Sequence, residues 1–386
     1  MLNTLASHNE DLSRLLKKGY AVSIDSNHLV VRDIPYLDNS QALQIGAIVS
    51  KLIFIDNEHV KLEDHQIFFC GSHPCEINGN LIPNLGGGPV NIPMESEDLV
   101  VQRSFSNKPE NGFADLFEKI ESYVTIFSGP AMQLHDVTPY TFRVVAEVTT
   151  SPFKFRDTLT SRAEIGDLVL KVKDDNIAII GLGGTGSYIL DFLVKTPVNE
   201  IRGFDLDWFH THNGFRSPGK IEEEELGKRK AEVYQKRYEG FRSGINIQSK
   251  YILADSQEDL KGVTFAFVCV DKGPARLEII NLLSELKIPF IDVGMGLDRT
   301  NDLLSGTLRV TSFTGQEEQD SLSKNNVPFS DIADDEYKNN IQISELNALN
   351  ACLAVIKYKQ IRGFYMDDNN FYHMLFNIDS LSLNGQ

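Results

Sequence analysis

Gly181-Leu182-Gly183-Gly184-Thr185-Gly186 stands directly after the apolar run Asn176-Ile177-Ala178-Ile179-Ile180 and ahead of a helical pattern. Glycines at that junction let the backbone turn tightly and approach a phosphate. The helix N-terminus then offers free N–H groups and a favourable dipole. Asp205 and Asp207 close the next apolar run, where a carboxylate would meet ribose hydroxyls. These two features suit any dinucleotide-binding domain, so hydride transfer from a nicotinamide cofactor stays open at this point.

The segments that follow point elsewhere. Asn213 and Arg216 come first, then Gly227-Lys228-Arg229-Lys230, then Asp271 behind the strand-like Phe265–Val270. A dehydrogenase needs no cations aimed at phosphates beyond its pyrophosphate. An enzyme that splits ATP between the α- and β-phosphates does need them, together with a carboxylate for magnesium. Taken alone, Lys230 reads as a solvated helix cation, since Lys228, Arg229, Lys236 and Arg237 lie close by. Its place in the ordered set assigns it to a phosphate.

In this order the motifs resemble those of the ThiF, MoeB and ubiquitin-activating enzyme superfamily, over roughly residues 155 to 362. The resemblance implies ATP and Mg²⁺ as cofactors. It implies a phosphate turn at Gly181, Gly183, Gly184 and Gly186, ribose contacts from Asp207 with Asp205, and phosphate contacts from Asn213, Arg216 and Lys230. Asp271 would hold the Mg²⁺. An arginine ahead of the first strand, which in the family often reaches the ATP of a partner subunit, would be Arg162, with Arg156 as the other candidate. The family usually pairs as a homodimer, and the apolar spacing of Leu346, Leu349, Leu353 and Ile356 would suit such packing or packing within the chain.

Two family features are missing. There are no paired Cys-x-x-Cys zinc motifs, so zinc is not expected, and no cysteine lies between Cys269 and Cys352 to act as a nucleophile. The acyl-adenylate would then pass directly to an acceptor, form an oxyester on a hydroxyl such as Ser321, Ser323 or Ser330, or reach a cysteine elsewhere. The plain reading of these serines is loop solvation. Cys269 and Cys352 read as buried small hydrophobes.

The elements that must hold these residues divide into two unlike halves. From about residue 153 to 386, apolar strands alternate with helices, which predicts an α/β, Rossmann-like domain with a mostly parallel sheet. Residues 1–152 predict a smaller α+β domain. Tyr20–Ile24 and His28–Val31 read as a hairpin, Ile67–Cys70 as a strand, and residues 113–127 as a helix with Phe113, Leu116, Phe117, Ile120 and Val124 on one face. Asn84–Pro89 and residues 315–336 read as loops. The cluster His65, Cys70, His73, Cys75 holds ligand-type residues at a spacing too compact for the usual zinc patterns, and Cys75, after Pro74, is expected to be the more exposed thiol.

This half resembles bacterial proteins in which a DUF6791-type domain precedes a ThiF-type domain. His65–Cys75, Phe105–Pro109 and Asn340–Asn350 carry that resemblance. It implies a ubiquitin-like protein as substrate, with a ubiquitin-conjugating-like protein as a further partner. Sulfur-carrier activation, an NAD-dependent oxidoreductase and a non-enzymatic scaffold are the competing readings.

The bulk numbers set bounds. The formal net charge of −17 over 386 residues opposes nucleic-acid binding, which needs a basic face, and opposes an anionic membrane surface. No apolar run reaches a membrane span, and the N-terminus lacks the pattern of a signal peptide, so the expected location is cytoplasmic.

Overall fold

The computed structural model describes residues 2–315 and 341–386, apart from 26, 56–58, 63, 93, 95, 97, 146–150, 156, 158, 159, 161, 162 and 164. Two compact units emerge, one of Met1–Thr150 with Phe155–Asp167, the other of Ser151–Lys154 with Leu168–Gln386.

The first unit opens with α1 (Leu2–His8) and α2 (Glu10–Lys18). Asn9 caps α2 by accepting from the Leu12 N–H at 3.0 Å, and Gly19 ends it in the left-handed region, φ 99°. Strands β1 (Ala21–Asp25), β2 (His28–Leu37), β3 (Leu43–Phe54), β4 (Val60–Leu62), β5 (Gln66–Cys70), β6 (Pro89–Ile92) and β7 (Val101–Ser106) follow. They form an antiparallel sheet in the order β1-β2-β3-β5-β7-β6, with β4 on β3. The expected hairpin is present as β1 and β2, turning at Asn27 with φ 64°.

Helix α3 (Leu116–Leu134) begins later than its apolar pattern suggests, because Asp115 caps it by accepting from the Glu118 N–H at 2.6 Å. Its buried Ile120, Tyr123, Val124 and Phe127 join Ile48, Ile67, Phe69 and Phe105 of the sheet in one core. Cys75 is buried, contrary to the sequence expectation: its N–H donates to Leu37 O at 2.8 Å and its segment bridges to Leu81. The turn after Pro74 therefore folds inward along the sheet margin.

The second unit is built on β8 (Asn176–Ile180), α4 (Gly184–Val194), β9 (Glu200–Phe204), α5 (Thr211–Gly214), α6 (Lys230–Glu239) and β10 (Ile245–Gln248). Then come β11 (Phe265–Val268), α7 (Gly273–Glu285), β12 (Phe290–Thr300), β13 (Leu303–Phe313), α8 (Ser344–Ile361), β14 (His373–Asn377) and β15 (Ser382–Gly385). The eight strands run in the order β10-β9-β8-β11-β12-β13-β14-β15.

The sheet is mixed, its larger part parallel as expected. β10 to β12 are parallel, and β12 to β15 pair antiparallel. The change comes at Asn301-Asp302, whose φ angles of 53° and 63° make a two-residue hairpin turn and extend β12 well past its apolar start. The parallel strands are buried on both faces: Ile177, Ile179, Phe265 and Phe267 face one core, and Ala178, Ile180, Ala266 and Val268 the other.

Among the described residues, no helix is long and apolar enough to cross a membrane. The predicted loop at 315–336 falls almost wholly outside the described residues.

Candidate functional site

The chain runs from β8 outward through β9 to β10, then returns to the other side of β8 as β11. Such a switch point leaves a crevice outside the carboxyl ends of the parallel strands, where α/β sheets bind ligands. The glycine turn, the acid pair and Asp271 each follow one of these strand ends.

The glycine turn leaves β8. Gly181 has φ +94°, and a Cβ there would lie 2.7 Å from Cys269 O, so the turn packs against the exit of β11. A Cβ on Gly186 would lie 2.0 Å from Gly181 O, whereas Gly183 has nothing within 4 Å. Gly183 is the N-cap of α4 and gives no side-chain cap. The first N–H groups of α4 therefore meet an open approach, which suits an anion.

The two acids divide their work. Asp205 is buried, and its oxygens accept the Leu182 N–H at 2.7 Å and the Asp207 N–H at 2.8 Å. It ties the exits of β8 and β9 together, and its oxygens are occupied by backbone. Asp207 is exposed. Its Oδ2 accepts from Lys230 Nζ at 2.9 Å and its Oδ1 from Tyr251 OH at 3.1 Å. Burial raises the Asp207 pKa, but the Lys230 hydrogen bond and charge, with Tyr251 and Lys272, bring it below the ordinary carboxylate value.

Lys230 is only 5% exposed, so it is not the solvated helix cation that its neighbours suggested. It sits in the first turn of α6, and its ammonium also lies 3.5 Å from Asp205 Oδ2. Asn213 is buried, and its Oδ1 accepts the His210 N–H at 2.7 Å, holding the short α5 in place. Arg216 follows α5 and is half-buried, and its Nε has no hydrogen-bond partner among the described residues. Burial lowers its pKa, with Asp271, Tyr234 and Asp207 opposing. The unspent donor is thus a buried one, on a guanidinium whose charge is coupled to those of Asp271 and Asp207.

Asp271 is exposed at the exit of β11. Magnesium shared with nucleotide phosphates needs one or two carboxylates, not a protein cage, so a lone Asp271 beside a phosphate turn fits that ion. Among the described residues, no three His, Cys, Asp or Glu side chains converge on a metal position. In the first unit His65 Nε2 pairs with Ser106 Oγ at 2.9 Å and His73 Nδ1 with Pro74 O at 2.8 Å.

A buried network behind Asp271 went unassigned in the sequence. Asp292 is fully buried, 3.2 Å from Arg276 Nε and 2.5 Å from an Arg309 amino group. Arg276 donates to Val270 O at 2.6 Å, which steadies the backbone leading to Asp271. Arg309 also donates to Thr311 Oγ1 at 3.0 Å, and Thr311 meets His373 Nδ1 at 2.9 Å. The signal was an aspartate inside the apolar run Phe290–Val293, since a buried carboxylate demands partners. Arg156, Arg162, Ser321, Ser323 and Ser330 lie outside the described residues.

All four cysteines have thiols pushed above their ordinary value, foremost by burial: Cys70 to about 11, and Cys75, Cys269 and Cys352 upward too. None has the lowered pKa of an activated thiol.

Fold and site together define a nucleotide-binding α/β domain of the adenylating class. The chain belongs to the ThiF family, whose model matches residues 159–382, and residues 10–158 match DUF6791, a domain of unknown function. ATP is the nucleotide of ThiF-family enzymes. The chain is similar to tRNA threonylcarbamoyladenosine dehydratase of Haemophilus influenzae, 24% identical over 132 residues, or 33% of this chain and 50% of that one. It thus spans half the length of this curated relative. Among solved structures, E. coli MccB with ATP matches at 18% identity and TM-score 0.41, covering 57% of this chain and 65% of that one. E. coli TcdA, a tRNA N6-threonylcarbamoyladenosine dehydratase, matches at 17% and 0.40, covering 53% and 92%.

Proposed function

We propose that the chain adenylates the C-terminal carboxylate of a ubiquitin-like protein. A carboxylate oxygen attacks the α-phosphorus of ATP, the α–β anhydride bond breaks, pyrophosphate leaves, and an acyl-adenylate remains. The observation that carries this reading is the Lys230–Asp207 pair, 2.9 Å apart, beside Asp205, whose carboxylate accepts the Leu182 N–H of the glycine turn at the switch point. Lys230 and Arg216 offset charge on the α-phosphate and the departing pyrophosphate. Asp271 would hold Mg²⁺, which when bound supplies further neutralisation of phosphate charge. Asp207 orients the ribose.

The four raised thiols favour a route without a thioester: direct transfer to an acceptor, or an oxyester on Ser321, Ser323 or Ser330. In this reading, residues 1–152 form a recognition domain for the ubiquitin-like protein or a conjugating-type partner. Residues 153–386 are the catalytic domain, pairing as a homodimer in the cytoplasm. The test is ATP–pyrophosphate exchange with a candidate ubiquitin-like protein. Label should enter ATP only when both the chain and the intact C-terminus are present. Exchange that ignores the C-terminus would overturn the substrate assignment, and its absence with every carboxylate donor tried would overturn adenylation.

A further inference from the structure

α8 carries the Ser344–Asn350 motif that the nucleotide chemistry above does not use. Its first turn lies on the first turn of α4. Thr185 Oγ1 donates to Asn347 Oδ1 at 3.0 Å, and Tyr188 OH meets Ser344 Oγ at 2.5 Å. Asn347 is 1% exposed, and its amide fills the space that a side chain on Gly184 would need. A Cβ on Gly184 would fall 2.3 Å from Asn347 Nδ2 and 2.4 Å from its Cγ and Oδ1.

With Oδ1 accepting from Thr185, the amide lies flat against Gly184, its Nδ2 and Oδ1 almost equally close to the glycine. That Nδ2 is buried and has no acceptor among the described residues. An unspent donor in a protein interior is costly, and the fold retains it directly behind the turn that meets phosphate.

We propose that Asn347 is a positioning residue for the nucleotide, acting through Gly184 and Thr185. It fixes the phosphate turn against α8 and keeps an unspent amide donor beside it. This inference rests on ATP binding at the glycine turn, as read above.

The discriminating variant is Asn347→Asp in the full chain. Aspartate keeps the shape and the acceptor for Thr185 but replaces the donor with negative charge. Binding of α,β-methylene ATP with Mg²⁺, followed by calorimetry at pH 8, should weaken at least tenfold, roughly the loss of one charge-assisted contact. It should recover in part at pH 6, as the buried carboxyl takes up a proton and becomes a donor again. A purely structural role predicts unchanged affinity at both pH values, and that result would overturn the inference. Should Asn347→Asp not fold, Thr185→Val removes the orienting hydrogen bond without burying charge and must still weaken binding. Equal affinity there would be equally fatal. If the wild-type chain itself does not bind the analogue, the nucleotide reading falls, and the role of Asn347 falls with it.

Discussion

Lys230 Nζ lies 2.9 Å from Asp207 Oδ2, although one residue opens a helix and the other follows a strand 23 positions earlier. In the proposed reaction Lys230 is the cation for a phosphate and Asp207 the acid for the ribose, so nucleotide binding would reapportion the ammonium between the carboxylate and a phosphate oxygen. The second aspartate, Asp205, stays behind as a fixed counter-charge at 3.5 Å.

Lys230→Ala and Arg216→Ala should each lower ATP–pyrophosphate exchange roughly a hundred- to a thousand-fold, the usual loss for one preorganised contact to developing charge. Their stabilities should differ. Removing Lys230 strips a buried Asp205 of its nearest cation, so the melting temperature falls. Removing Arg216 takes away a half-buried guanidinium whose Nε has no partner, so melting holds or rises. Near-wild-type exchange in both variants would refute the site.

Asp271→Asn should lose most exchange at ordinary Mg²⁺ and regain part of it as Mg²⁺ is raised, because a neutral amide is a weaker ligand for a hard cation. A loss that Mg²⁺ does not alter would remove the metal role. The measurement is a Mg²⁺ titration of exchange at saturating ATP.

His373 sets a pH dependence of stability. Burial, then the nearby Arg309 charge, lower its pKa below the ordinary 6.5. The unfolded chain therefore binds the proton more readily than the folded one. The stabilisation is complete above pH 6.5 and is lost as pH falls from 6.5 through the lower folded value. His373→Gln should flatten the drop in melting temperature between pH 7 and pH 5 relative to wild type. Parallel curves for the two proteins would show that His373 does not titrate this way.

The α8 stripe Leu346, Leu349, Leu353 and Ile356 bears on the proposed dimer. The helix buries a different face, with Asn347, Ala351, Ala354 and Tyr358 inward, and leaves Ile356 45% exposed. Ile356→Glu should shift light scattering of a homodimer toward monomer while changing the unfolding free energy of the chain by less than about 1 kcal/mol, as for an exposed position. A wild-type monomer at micromolar concentration would dispose of the pairing.

The order of glycine turn, acids, cations and final aspartate was legible in the sequence because each motif is local. A turn at a strand end needs glycines in consecutive positions, and parallel strands then bring successive strand ends to one edge. The same locality exposed the β1–β2 hairpin and the buried strands of the second unit. It did not separate Asp205 from Asp207, since which carboxylate turns inward depends on the Leu182 N–H, 23 residues away. Nor did it reveal the antiparallel half of the sheet, although Asn301-Asp302 was a usable turn signal.

Cys75 looked exposed from its proline, yet pairing with Leu37 and Leu81 buries it. The network of Asp292, Arg309, Thr311 and His373 joins residues up to 81 positions apart. The amide of Asn347 meets Gly184 from 163 positions away. Residue types and spacing thus determined the chemistry offered at the strand ends. Tertiary structure decided which charges are buried, which are paired and which remain free to meet a ligand, because burial and pairing depend on neighbours brought together only by the folded sheet.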